Sequence, residues 1–221
     1  IWKADTFLDL HPNAMQFEAF DNEDKLLDSR KYYSIGGGKI IREDSNEGLE
    51  INEVYPHHSL TEILQYLDEN GLTFWEYVQE FEHAEIWDYL AEVLAVMKKS
   101  VEDGLNEEGV LPGGLRLRRK AMSYYTKARS YKPSLKGRCL VQSYALAVSE
   151  QNAAGGLIVT APTCGSCGVV PAVLYHLSKE HEFTDKQIIR SLATAGLFGS
   201  IIKHNASISG AEVGCQGEVG S

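Results

Sequence analysis

The spacing of apolar residues changes at Ser59, and that change limits the chain to an architecture with strands first and helices after. Ahead of it, Gln16-Phe17-Glu18-Ala19-Phe20 alternates polar and apolar. After the polar stretch 21–24, a second candidate strand runs over 26–35, so the pair predicts a β-hairpin. Gly36-Gly37-Gly38 followed by Lys39-Ile40-Ile41 predicts a bulge or close backbone approach leading into a short strand, and the polar stretch from residue 42 to 52 reads as a linker. Three strands with one apolar face rarely bury enough to stand alone, and residue 1 is Ile rather than Met, so this β-rich piece is expected to be part of a longer one.

Behind the switch, Leu60, Ile63, Leu64 and Leu67 fall at helical spacing. Ser59 with Glu62 forms a capping box, and Asn70-Gly71 supplies a stop. Thr73 with Glu76 repeats the start signal. An apolar stripe of Phe74, Tyr77, Val78 and Phe81, continued by Trp87, Leu90, Leu94 and Met97 toward Gly104, predicts one long or broken helix. Residues 108–114 read as loop from their Pro and Gly. Helices are predicted over 138–151 and 184–203, the latter with small residues Ala193, Ala195, Gly196 and Gly199 that suit close helix packing. The fold class expected is therefore α+β: a partial, small β-rich N-terminal domain followed by a mainly α-helical one. Trp2, Trp75 and Trp87 read as core, and Cys139, among Leu140, Val141 and Tyr144, reads as a packed thiol.

Charge narrows the partners. Lys and Arg number 21 against 31 Asp and Glu, a formal net charge of −10, which would repel nucleic-acid phosphates and anionic membrane surfaces. No apolar run approaches the ~18 residues of a membrane span and the first residues lack a signal-peptide layout, so a cytoplasmic protein is the expectation, with neither nucleic acid nor membrane as partner. Four cysteines, at 139, 164, 167 and 215, are too few for a secreted disulfide framework. Beside glycines, they point to metal or redox chemistry.

The chemistry concentrates after Asn152, where three glycine-rich polar stretches (153–156, 160–168 and 205–221) interrupt apolar helices and are expected to converge. Thr160-Ala161-Pro162-Thr163-Cys164-Gly165-Ser166-Cys167-Gly168 precedes the apolar run 169–174. It therefore falls at a helix N-terminus suited to a carboxylate or a thiolate. The C-x-x-C spacing fits a metal-ligand pair, a dithiol or two small packing residues. The stretch 205–218 crowds Asn205, Ser207, Ser209, Glu212, Cys215, Gln216 and Glu218 together with few aliphatic side chains to bury them. A thiolate at Cys215, flanked by Gly214 and Gln216-Gly217, is placed to bind metal, with Asn205, Ser207, Ser209, Gln216 and Thr163 as candidate substrate-orienting groups. Glu212 and Glu218 are candidate outer partners or caps, and His11 and His204 read as surface or capping histidines. Arg116, Arg118, Arg119 and Lys120 form a basic run that reads as a solvated or subunit-contact face, with substrate-carboxylate binding as the alternative.

Residues 160–172 and 201–220 resemble the catalytic α domain of iron–sulfur-dependent L-serine dehydratase (L-serine ammonia-lyase), supported by Glu108-Gly109-Val110-Leu111-Pro112-Gly113-Gly114-Leu115 and by residues 145–156. His11-Pro12-Asn13, residues 16–21 and Ser34-Ile35-Gly36-Gly37-Gly38 are similar to the end of that family's β domain. The resemblance implies a C-terminal part of the β-type domain at 1–48, a linker at 49–58, and an α-type catalytic domain at 59–221 truncated at its C-terminus. It also implies a [4Fe–4S] cluster held by three cysteines, of which Cys215 matches the first, with two further ligands outside this chain. Many relatives carry Asn and Ala where Cys164 and Cys167 stand, so no ligand role transfers to those thiols, although with Cys215 they make three by count.

The implied activity is a lyase reaction, dehydration and deamination of L-serine to pyruvate and ammonia, serving amino-acid degradation and gluconeogenesis. Hydroxide is a poor leaving group at neutral pH, and an open Lewis-acidic iron binding the substrate hydroxyl would absorb its developing charge. The alternatives are a non-catalytic amino-acid-binding or assembly module, and a thiol-redox protein using Cys164 and Cys167. Small-residue helix faces and an uncovered β surface are compatible with a homodimer.

Overall fold

The computed structural model describes residues 6, 8, 10, 11, 13–36, 39–45, 54–160 and 164–205. The strands β1 (Ala14–Phe20), β2 (Leu26–Gly36) and β3 (Lys39–Arg42) form an antiparallel sheet in the order β1-β2-β3. Local chemistry makes the first hairpin: the Asp21 carboxylate accepts from the backbone N–H groups of Glu23 and Lys25, both at 2.9 Å, and Asp24 takes a left-handed φ of 61°. Alternation then sorts the side chains. Tyr33 and Ile41 pair across β2 and β3, and both are buried. The opposite face, carrying Met15, Phe17 and Ile40, is more than half exposed.

Seven helices follow among the described residues: α1 (Leu60–Asn70), α2 (Phe74–Phe81), α3 (Ile86–Asn106), α4 (Ala121–Arg129), α5 (Pro133–Ala154), α6 (Val169–Glu180) and α7 (Asp185–Asn205). Both predicted capping boxes form. Ser59 Oγ accepts the Glu62 N–H while the Glu62 carboxylate accepts the N–H groups of His58 and Ser59. The Glu76 carboxylate accepts both the N–H (2.8 Å) and the hydroxyl (2.6 Å) of Thr73. Gly71 closes α1 at φ 66°, the left-handed conformation that a Cβ disfavours.

Two expectations need correction. Leu60 and Leu64 are 39% and 49% exposed, so Ile63 and Leu67 alone of that stripe are buried. Of the small residues of α7, Ala193 is buried, but Ala195, Gly196 and Gly199 are exposed, and a Cβ added at 196 or 199 would meet nothing within 4 Å. Close approach occurs elsewhere. A Cβ at 104 would collide with the Ala147 carbonyl of α5, and one at Gly168, just ahead of α6, would sit 2.5 Å from the Ala145 carbonyl oxygen.

The helices enclose two clusters. The first gathers Ile63, Leu67, Tyr77, Val78, Leu90, Leu94, Met97, Leu174, Ile188, Leu192, Ala193 and Leu197, with Trp75 and Trp87 packed at its edge. The second gathers Val101, Leu105, Leu140, Tyr144, Val148 and Tyr175 around the small residues Ala121, Ala128, Ala147, Cys167 and Ala172, with Cys139 at its edge as expected of a packed thiol. Helix α3 serves both along one face, through Leu90, Leu94 and Met97 in its first part and Val101 and Leu105 further on. Burying one such aliphatic side chain contributes roughly 1.5–3 kcal/mol, which is why the helices stay together.

Candidate functional site

The first two glycine-rich stretches meet where α5 ends and α6 begins. Helix α5 terminates at Gly155, whose φ of 79° turns the chain out of the helix, and the Gly156 N–H bonds back to the Gln151 carbonyl at 2.8 Å. The chain then leaves in extended steps, with Ile158 packing on the second cluster and Val159 on the first. This segment is wedged between the two cores. Beyond it, residues 164–168 turn into α6. The Cys167 N–H donates to the Cys164 carbonyl at 3.4 Å, and the Val169 N–H donates to that of Ser166 at 3.0 Å.

Helix α5 holds this turn from outside, because Asn152 Nδ2 donates to the Cys164 carbonyl at 3.3 Å. Cys164 is exposed and Cys167 is 6% exposed. Gln151 is buried at 5% exposure beside Gly156, and its Nε2 has no hydrogen-bond partner. Such a donor costs about 1–3 kcal/mol unless something accepts from it. Thr163 lies outside the described residues.

The third stretch begins at the end of α7. Asn205 Nδ2 donates to the carbonyls of Ile201 and His58, each at 2.9 Å, and His204 stacks on His58 with ring centroids 4.2 Å apart. The residues just before α1 therefore anchor the point from which the chain runs on to 206–221. Ser207, Ser209, Glu212, Cys215, Gln216 and Glu218 lie outside the described residues, as does Trp2.

Beside this anchor lies an aromatic nest that sequence reasoning did not single out. His57 Nδ1 and the Tyr77 hydroxyl are 2.8 Å apart, and Tyr55 donates its hydroxyl to Glu82 at 2.8 Å. Burial pushes the Tyr77 hydroxyl up to about 12, so it is protonated at neutral pH. Tyr55 is also raised, first by burial and then by its bond to Glu82. The available signal was the His57-His58 pair directly ahead of the capping Ser59, with Tyr77 on the next predicted helix.

The basic run does not form one solvated face. Arg116 and Arg118 are exposed, but the Arg119 side chain is 8% exposed and its guanidinium pairs with Glu107 at 2.5 Å. Next to it, the buried Glu150 carboxylate of α5 accepts the backbone N–H groups of Lys120 (2.6 Å) and Ala121 (3.2 Å), capping α4 from another helix. Among the described residues no three His, Cys, Asp or Glu side chains are grouped to hold a metal ion, and no disulfide joins Cys139, Cys164 and Cys167. No described helix is long and apolar enough to cross a membrane.

Known proteins share this sequence. The family model described as serine dehydratase alpha chain matches residues 22–221. The chain is 43% identical over 229 residues to an L-serine dehydratase of Haemophilus influenzae, covering 97% of this chain and 50% of that protein. It is 42% identical over 226 residues to L-serine dehydratase 1 of Escherichia coli (96% and 50%), and 41% identical over 226 residues to an L-serine dehydratase of Streptomyces coelicolor (97% and 50%). The chain thus spans about half the length of these curated relatives.

Proposed function

The chain belongs to the serine dehydratase alpha chain family, and from that premise we propose that the complete protein is an L-serine ammonia-lyase, converting L-serine to pyruvate and ammonia. The observation that carries this reading is the family match over residues 22–221 together with 41–43% identity to proteins named L-serine dehydratase. We further propose a [4Fe–4S] cofactor with Cys215 as one ligand and two more cysteines outside this chain. The described residues do not by themselves make a metal site, so this assignment rests on Cys215 and on the family. When bound, such a cluster supplies Lewis acidity toward a leaving hydroxide.

The rest falls to the chain's own groups. The positive end of α6 would favour the substrate carboxylate, helped by the Thr163 hydroxyl. Asn205, Ser207, Ser209 and Gln216 would orient the amino and hydroxyl groups, with Asn205 held in place by its bonds to His58 and Ile201. What supports this reading is that α5 and the second cluster hold the turn, through the bond from Asn152 to the Cys164 carbonyl and the packing of Cys167. Residues 1–48 and 59–221 would act as β-type and α-type domains, in a cytoplasmic homodimer.

The test is anaerobic reconstitution of the complete protein with iron and sulfide. Cluster absorption and serine-dependent pyruvate should appear together, and Cys215→Ser should abolish both. Pyruvate formation at full rate by iron-free protein, or by the Cys215→Ser variant, would overturn the cofactor assignment. Reconstituted protein that binds serine without turnover would overturn the lyase assignment in favour of an amino-acid-binding module.

A further inference from the structure

We propose that Cys164 and Cys167 are a reversible dithiol–disulfide pair, a modification site at the mouth of α6 that exchanges with low-molecular-weight disulfides. The argument begins with the backbone. The bond from the Cys167 N–H to the Cys164 carbonyl closes a four-residue turn. The ends of such a turn lie less than about 7 Å apart at Cα. A disulfide requires roughly 4.4–6.8 Å between the same atoms, so the turn already brings the two residues to bridging range. Between them stand Gly165 and Ser166, too small to obstruct the sulfurs.

The turn is also fixed in place. Asn152 holds the Cys164 carbonyl, Cys167 packs in the second cluster, and Gly168 is seated against the Ala145 carbonyl. Closure therefore asks for side-chain rotation and little backbone movement. The two thiols differ in access in the way an exchanging pair needs: Cys164 is exposed and open to attack, whereas Cys167 is 6% exposed.

The chemistry balances in two displacements. The Cys164 thiolate attacks glutathione disulfide, forming a mixed disulfide and releasing one glutathione thiolate. The Cys167 thiolate then attacks the Cys164 sulfur and releases the second. Two protein thiols are oxidised by two electrons, and one small-molecule disulfide is reduced to two thiols.

The test uses the complete holoprotein under anaerobic conditions, equilibrated with glutathione at graded thiol-to-disulfide ratios, then alkylated. Digestion after glutamate separates Cys139 from the pair, because Glu150 lies between them, and releases residues 151–180 as one peptide. That peptide should lose two hydrogens and escape alkylation under oxidising ratios, and dithiothreitol should reverse both changes. The variants test direction. Cys167→Ser should accumulate a glutathione adduct at Cys164, Cys164→Ser should leave Cys167 at least tenfold less modified, and Cys139→Ser should behave as wild type. Full alkylation of both thiols at every ratio, or bridging of either to Cys139 or Cys215, would overturn the pair. None of these readouts uses serine turnover, so failure here is distinct from failure of the lyase assignment.

Discussion

The two clusters of the helical region are built in opposite ways. Bulky side chains fill the first: Tyr77 has no exposure, Tyr55, Tyr66 and Phe81 pack around it, and Trp75 and Trp87 pack elsewhere on the cluster. In the second, backbones approach one another. Four of its eleven buried residues are alanines, and Gly104 and Gly168 lie against carbonyls of α5. The difference teaches where each can fail: the first has volume to lose, and the second has no room to gain any. The proposed active-site turn springs from the second, and the stretch leading to Cys215 springs from beside the first.

The largest effect should come from removing volume in the first cluster. Ile63→Ala is expected to destabilise by about 3 kcal/mol, seen as a lower urea midpoint of far-UV ellipticity. Gly104→Ala, which adds one methyl group to the second, should cost about 2 kcal/mol despite the better helix propensity of alanine. Neutral behaviour of Gly104→Ala would break the comparison. The same change at exposed Gly196 should have the opposite sign, stabilising by about 0.5–1 kcal/mol, since a Cβ there meets nothing.

The smallest effect sharpens the picture of the second cluster. His176 sits between Tyr144 and His181 beside Gly137, its Nδ1 is buried without a partner, and burial lowers its pKa below the usual 6.5. The unfolded chain therefore takes up this proton first as pH falls, so stability should be full above about 6.5 and decline through the lowered folded value. His176→Gln should flatten that part of a plot of urea midpoint against pH. An unchanged slope would show that His176 is not its source.

How much of this was legible depended on how local the chemistry was. Ser59 with Glu62, Thr73 with Glu76, and Gly71 act within one turn, and their motifs predicted helix ends that the structure contains. The alternating strands were legible for the same reason. Helix α4 was not, because it buries only Ala121 and Ala128 and owes its start to Glu150, thirty residues on in another helix. Nor could spacing tell which glycine faces a neighbour: Gly196 was expected at a close contact and meets nothing, whereas Gly104 lies against the Ala147 carbonyl. At the candidate site, composition marked the stretch 160–168, but the grip of Asn152 on Cys164 and the meeting of His57 with Tyr77 depend on helix placement.

Helix α3 is shared end to end by both clusters, with Met97 in one and Val101, a single turn later on the same face, in the other. Neither half can melt without stripping the other of part of its lining. Denaturation of the helical region should thus be one concerted event, with the slowest amide hydrogen exchange in the middle of α3.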